Sequence, residues 1–186
     1  MRCSAFLPFV LTALLPGLAA GQTGAGVLPP LSFLGFEAGA PVRDVASQVE
    51  ALGGTLDCRR ARKDPSVREC RATVPDPTTA RPVAIWLAAI DTVAAVLTIA
   101  GEVNRDQLEG WRTELERQYG IVGARIQGTQ LSLQWVRRGR MIRLTWRNDR
   151  GVKTASVSLV DGRVLDDWGK RRHSAPRTVP GAAPPE

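Results

Sequence analysis

Asp161, Asp166 and Asp167 form the one local carboxylate cluster in this chain of 186 residues. Such a grouping could hold a hard cation, or divide acid and base roles between two carboxyls. Asp161-Gly162 has the chemistry of a tight hairpin turn, and Asp166 and Asp167 fall on the strand expected over Val164–Trp168, where consecutive side chains point to opposite faces. Turn formation and edge solvation account for all three, and no metal site is assigned. The single histidine, His173, lies in a Pro-rich C-terminal segment with nothing to hold it against a nucleophile, so Ser-His and Cys-His catalysis lack support. Gly53-Gly54 closes a helix instead of opening one, which removes the case for a phosphate loop. No catalytic residue and no cofactor is assigned.

Arginines supply the other candidate chemistry. Arg137, Arg138 and Arg140 crowd one predicted hairpin tip, and Arg143 and Arg147 continue along the strand that leaves it. Alternation sets those two beside Gln130, Ser132, Gln134 and Thr145 on a polar, cationic sheet face. Planar guanidinium forks suit carboxylate and phosphate groups, so these five arginines are the candidate anion-binding residues. Arg59, Arg60, Arg62 and Lys63 make a comparable cluster on an earlier hairpin. An antiparallel sheet with one wet face needs soluble residues there in any case. Of the five tryptophans, Trp111, Trp135 and Trp146 fall on the buried parity of their elements and read as core, while Trp86 and Trp168 are assigned to neither core nor surface.

Two cysteines, Cys58 and Cys70, flank a turn-forming Lys63-Asp64-Pro65-Ser66 segment. A turn centred near Asp64 sets Cys58 opposite Cys70 and Leu56 opposite Ala72, the geometry of a cross-strand disulfide. Neither a C-x-x-C spacing nor neighbouring histidines favour redox or metal chemistry for the pair.

The elements that carry these residues follow from periodicity. Pro41 suits a first helical position, and Val42, Val45, Ala46, Val49 and Leu52 then recur at helical spacing until Gly53-Gly54. A second helix starts where Asn104 can cap, with Gln107 reciprocating, and buries Leu108, Trp111, Leu115 and Tyr119 before Gly120. After each helix the pattern alternates. Leu131, Leu133 and Trp135 pair across Arg138-Gly139 with Trp146, Leu144 and Ile142, and Ala155, Val157 and Leu159 follow. Two helices and about eight strands are expected.

The first half reads as an earlier copy of the second, with a repeat length of roughly 70 residues. Ile90-Asp91-Thr92-Val93 aligns with Val160-Asp161-Gly162-Arg163. The predicted class is α+β: two tandem helix-plus-antiparallel-meander units, residues 31–103 and 104–168, forming a two-layer sheet with the helices on one face. This layout resembles the architecture of bacterial β-lactamase-inhibitor proteins and of small outer-membrane assembly accessory modules. The resemblance is one of layout, and no residue role follows from it.

The ends are read separately. Residues 1–21 have the plan of a signal peptide: Arg2, an uncharged run from Ala5 to Ala20 broken by Pro8 and Pro16, and Ala19-Ala20-Gly21 as a small-residue cleavage site. The apolar run is too short for a membrane span, so no transmembrane segment is expected in the mature chain. Residues 22–30 are a linker. Residues 169–186, rich in proline and poor in bulky apolar side chains, are expected to be disordered.

At 44% hydrophobic content the chain can build a core, and its formal net charge of +7 falls to +6 without Arg2. An exported protein with no stacking-aromatic motif is a poor nucleic-acid binder despite that charge. The sequence favours a periplasmic or secreted, non-enzymatic interaction module whose partner is an unidentified protein or anionic envelope component. A small carboxylate-dependent hydrolase of the cell envelope is the alternative.

Overall fold

A computed structural model describes residues 30–174. The predicted signal peptide, nearly all of the linker and the chain beyond Ser174 lie outside the described residues. In chain order the elements are β1 (Ser32–Phe33), β2 (Phe36–Glu37), α1 (Val42–Ala51), β3 (Asp57–Arg60), β4 (Val67–Pro75), β5 (Pro82–Ile90) and β6 (Val93–Glu102). They continue with α2 (Arg105–Tyr119), β7 (Arg125–Gln127), β8 (Gln130–Arg137), β9 (Arg140–Asp149), β10 (Val152–Asp161) and α3 (Gly162–Ser174). The fold is α+β. Eight strands form one antiparallel sheet in the order β3-β4-β5-β6-β10-β9-β8-β7, and β1 and β2 form a separate two-stranded hairpin.

The alternating pattern fixes the register. Trp135 lies opposite Ile142, Leu133 opposite Leu144 and Leu131 opposite Trp146, because a slip of one residue would turn every apolar side chain to water. Arg138 and Gly139 both take positive φ in the two-residue turn that joins these strands, which matches the twist of the strands they connect. Cys58 lies opposite Cys70, and the two form a disulfide.

One face of the sheet carries the core. Val45 and Val49 of α1 and Leu108, Trp111 and Leu115 of α2 pack with Leu87, Ile99, Leu133, Leu144, Val157 and Leu159 in one buried cluster. Each such side chain contributes roughly 1.5–3 kcal/mol on leaving water. Pro41 is the N-cap of α1 and precedes its first turn. Asn104 caps α2 as expected, its side chain accepting from the Gln107 amide at 2.8 Å. The Gln107 side chain does not reciprocate. It turns inward to Asp76 instead, because a buried carboxylate needs donors more than an exposed N-terminus does.

Three features correct the sequence reading. Val164–Trp168 is helical, so the segment after Asp161 is α3 and not a returning strand. A further strand, β7, supplies the fourth partner after α2. Helix α3 continues to Ser174, and His173 therefore sits in a helix, with Nδ1 2.7 Å from the Gly169 carbonyl oxygen. The physical reason is a cap: Asp161 Oδ1 accepts from the amides of Arg163 and Val164, which places an N-cap where the Asp-Gly pair suggested a hairpin. Helix α3 lies against β5, β6 and β9. Ile90 and Ala95 are buried yet belong to no part of the main core, and Ile90 shares the strand parity of exposed Trp86. Thus α3 covers one end of the sheet face that α1 and α2 leave open.

Candidate functional site

That open face is a broad surface. One row of paired residues crosses six strands: Arg71, Trp86, Thr98, Ser158, Arg143 and Gln134. Below it Ala84, Ala100, Ser156, Thr145 and Ser132 form a second row of small side chains. Trp86 is 38% exposed and stands above this low floor. Eight strands spaced about 4.8 Å apart span roughly 34 Å.

The five candidate arginines do not share a surface. Arg143 and Arg147 lie on the open face, where Arg143 donates to Gln134 Oε1 at 2.7 Å and Arg147 to Thr154 at 3.3 Å. Arg137 follows the core parity of Leu133 and Trp135: it donates to the carbonyl of Tyr119 at 3.2 Å and stands over that ring at 5.2 Å. Arg140 is half-buried and bonded to Asp161 at 2.8 Å. Arg138 occupies the turn between them. Arg59 and Arg60 are exposed on the edge strand β3, and Arg62 and Lys63 lie exposed in the connection after it.

The aspartate cluster separates in the same way. Asp161 is only 1% exposed, and its Oδ2 accepts from Arg140 at 2.8 Å and Arg163 at 2.9 Å. Burial pushes its carboxyl up, but the hydrogen bonds and positive charges of Arg163 and Arg140 outweigh that and bring it to about 2. Asp166 and Asp167 lie on α3, where Asp167 meets Lys170 at 3.6 Å. Trp168 anchors the same helix by donating to Asp64 at 3.1 Å. No group of three or more potential ligands among the described residues could hold a metal ion.

A second site was not foreseen. The β4–β5 loop turns Asp76 into the interior, leaving it 1% exposed. Its Oδ1 accepts from the amides of Thr78 and Thr79 at 2.8 and 3.1 Å. Its Oδ2 accepts from Trp111 Nε1 at 2.7 Å and Gln107 Nε2 at 3.1 Å, two side chains one helical turn apart on α2. Burial alone would raise the carboxyl, but these four donors together hold it below its ordinary value. Asp76 is therefore an anion whose acceptor positions are filled, which suits a structural or binding role and leaves no lone pair for proton abstraction. The signal was the Asp76-Pro77-Thr78-Thr79 run, whose Asp can close a turn on the amides that follow.

Asp76 and Gln107 stand in the wall of a cavity of about 530 Å³. The Leu34-Gly35 turn of the β1–β2 hairpin forms another wall, with Leu34 at φ 50° and Gly35 at φ 81°. Gln48 holds that turn by donating to the Leu34 carbonyl at 2.9 Å. Phe33 and Trp111 meet edge to face behind it, centroids 5.3 Å apart. Searches against family models, curated proteins and solved structures find no match to this chain.

Proposed function

We propose that this chain is an exported, non-enzymatic binding module that docks a folded protein with an acidic surface onto the open face of its sheet. The observation that carries the reading is the row joining Arg71, Trp86 and Arg143 across an uncovered floor of small side chains. Trp and Arg are the residue types that concentrate binding energy at protein interfaces. The width of the face suits a protein better than a small molecule, and the excess of basic residues would favour an acidic partner. Export is supported by the signal-like N-terminus and by the Cys58–Cys70 disulfide, a bond that persists in oxidising compartments. No helix among the described residues is long and apolar enough to cross a membrane.

The strand order also favours the duplication reading. Each of α1 and α2 is followed by a four-stranded meander, and the last strands of the two meanders, β6 and β10, pair with each other. Two such units would bring their open faces into one surface, which suits an interaction module.

The hydrolase alternative is disfavoured because Asp76 has all its acceptor positions occupied and Asp161 is locked in ion pairs. The test uses full-length protein, recovered from outside the cytoplasm, as bait against the soluble envelope fraction. An acidic protein should be retained by the native chain, released as salt rises, and lost from a Trp86→Ala, Arg143→Gln, Arg147→Gln variant. Retention unchanged in that variant would overturn the reading, as would binding to anionic vesicles in place of any protein. Intact mass should begin at or near Gln22, and a full-length chain confined to the cytoplasm would refute export.

A further inference from the structure

We infer that the cavity between the β1–β2 hairpin, the β4–β5 loop and α2 is a binding site for an organic primary ammonium group. The site is separate from the open sheet face. Three observations converge on it.

The first is charge. Asp76, Asp106 and Glu114 line the cavity, and among the described residues no Lys or Arg does, although Glu114 also pairs with Arg117 outside that lining at 2.8 Å and basic residues outnumber acidic ones 25 to 18 in the chain. Asp76 is buried and bonded only to neutral donors, the amides of Thr78 and Thr79 and the side chains of Gln107 and Trp111. It makes no ion pair among the described residues. Hydrogen bonds alone offset the burial of this charge, and a cation in the adjoining space would add direct attraction to it.

The second is an orphaned acceptor. Gln107 is 2% exposed, and its Oε1 is buried with no hydrogen-bond partner. The amide cannot be turned over to cure this, since the edge facing the Asp76 carboxylate must be the donating one. Gln107 belongs to the cavity wall, and an N–H or O–H donor brought within reach of its Oε1 would satisfy an acceptor that has no partner among the described residues. Asp76 has no acceptor position to spare, so it would act on the ligand through its charge while Gln107 accepts the hydrogen bond.

The third is shape. Phe33 and Trp111, both buried, form part of the cavity wall, and apolar walls of this kind accommodate an alkyl chain. Gly110 lies in the wall of the cavity, and a Cβ placed on it would meet nothing within 4 Å. A glycine inside a helix costs stability relative to almost any other residue, and here it keeps the mouth clear. The cavity volume of about 530 Å³ lies within the range of small-ligand sites.

Titrating the disulfide-bonded chain with 1,5-diaminopentane at pH 7 and low salt, read by calorimetry and tryptophan fluorescence, tests the assignment. The diamine should bind at least about tenfold more tightly than 1,5-pentanediol, which has donors and no charge, and than tetramethylammonium, which has charge and no donor. Nα-acetyl-lysine methylamide is the parallel probe: tighter binding by it points to a lysine side chain as the natural source, tighter binding by the diamine to a free amine. Gly110→Leu should raise thermal stability yet abolish binding by filling the mouth. Asp106→Asn with Glu114→Gln, both at polar, accessible positions, should fold and weaken binding about threefold or more. The proposal is overturned if the diamine and the diol bind alike, if neither amine binds at millimolar concentration, or if Gly110→Leu binds as well as the native chain.

Discussion

The indole Nε1 of Trp111 donates to Asp76 Oδ2 at 2.7 Å, tying the middle of α2 to a loop between two strands. Replacing Trp111 with Phe keeps a ring against Phe33 and deletes this donor. Stability in urea should fall by about 1–3 kcal/mol, the cost of leaving a buried acceptor short. An unchanged midpoint would mean that water or a neighbour takes the donor's place.

Asp161 makes the fold sensitive to acid. Its carboxyl titrates at about 2 in the folded chain against 3.8 for an ordinary aspartate. A lowered folded value stabilises the native state above the unfolded value, and the gain is lost as pH falls through the folded one. The contribution is roughly 2 kcal/mol at neutral pH, declining between about pH 4 and pH 2. Asp76 adds in the same direction. In Asp161→Asn, urea midpoints measured from pH 6 to pH 2 should fall less steeply than in the native chain. Parallel profiles would remove Asp161 from the account.

Reduction of Cys58–Cys70 should cost about 3 kcal/mol, as expected for closure of so short a loop in the chain-entropy model. Non-reducing peptide mapping should recover the two cysteines in one linked pair, and the Cys58→Ser, Cys70→Ser double variant should match the reduced protein in stability. Two free thiols in natively exported protein would contradict the bond.

Helix α3 buries none of its own residues and is held through Asp161, Asp64 and Asp91. Its amides should exchange with solvent at a much lower opening free energy than those of β10, to which it is directly joined. Trp168→Phe, which removes the donor to Asp64, should speed exchange in α3 while leaving β10 protected. Equal protection of helix and strand would show that α3 belongs to the cooperative core.

The main sheet was legible because its signals are local. Alternation fixed the pairing of Trp135 with Ile142, and the turn chemistry around Asp64 set Cys58 against Cys70. Helix α3 was hidden because Asp161-Gly162 serves equally well as a hairpin turn and as the start of a capped helix, and only contacts with Gly139, Arg140 and Asp64 decide between them. Strand β7 is three exposed residues, too few to show a period. Of the open face, Arg143 and Arg147 could be placed by parity, while Trp86 could not, since its strand is apolar on both sides. The Asp76 cavity was illegible because it joins segments distant in sequence, and the inward turn of Gln107 answers a partner 31 residues away.

The junction of β6 with β10 also orders events in time. Leu97 faces Leu159 across it, about sixty residues later in the chain, whereas the hairpins on either side close over a few residues. Each meander can therefore form early, and the junction is expected to come last, since distant pairings carry the larger entropy of closure. Until then β6 and β10 are unpaired edges bearing Leu97, Ile99, Val157 and Leu159, the kind of surface that recruits other chains. The edges that remain in the finished sheet, β3 and β7, are short and carry Arg59, Arg60 and Arg125. Charge guards the permanent edges, while the apolar ones are exposed only for as long as the two halves take to find each other.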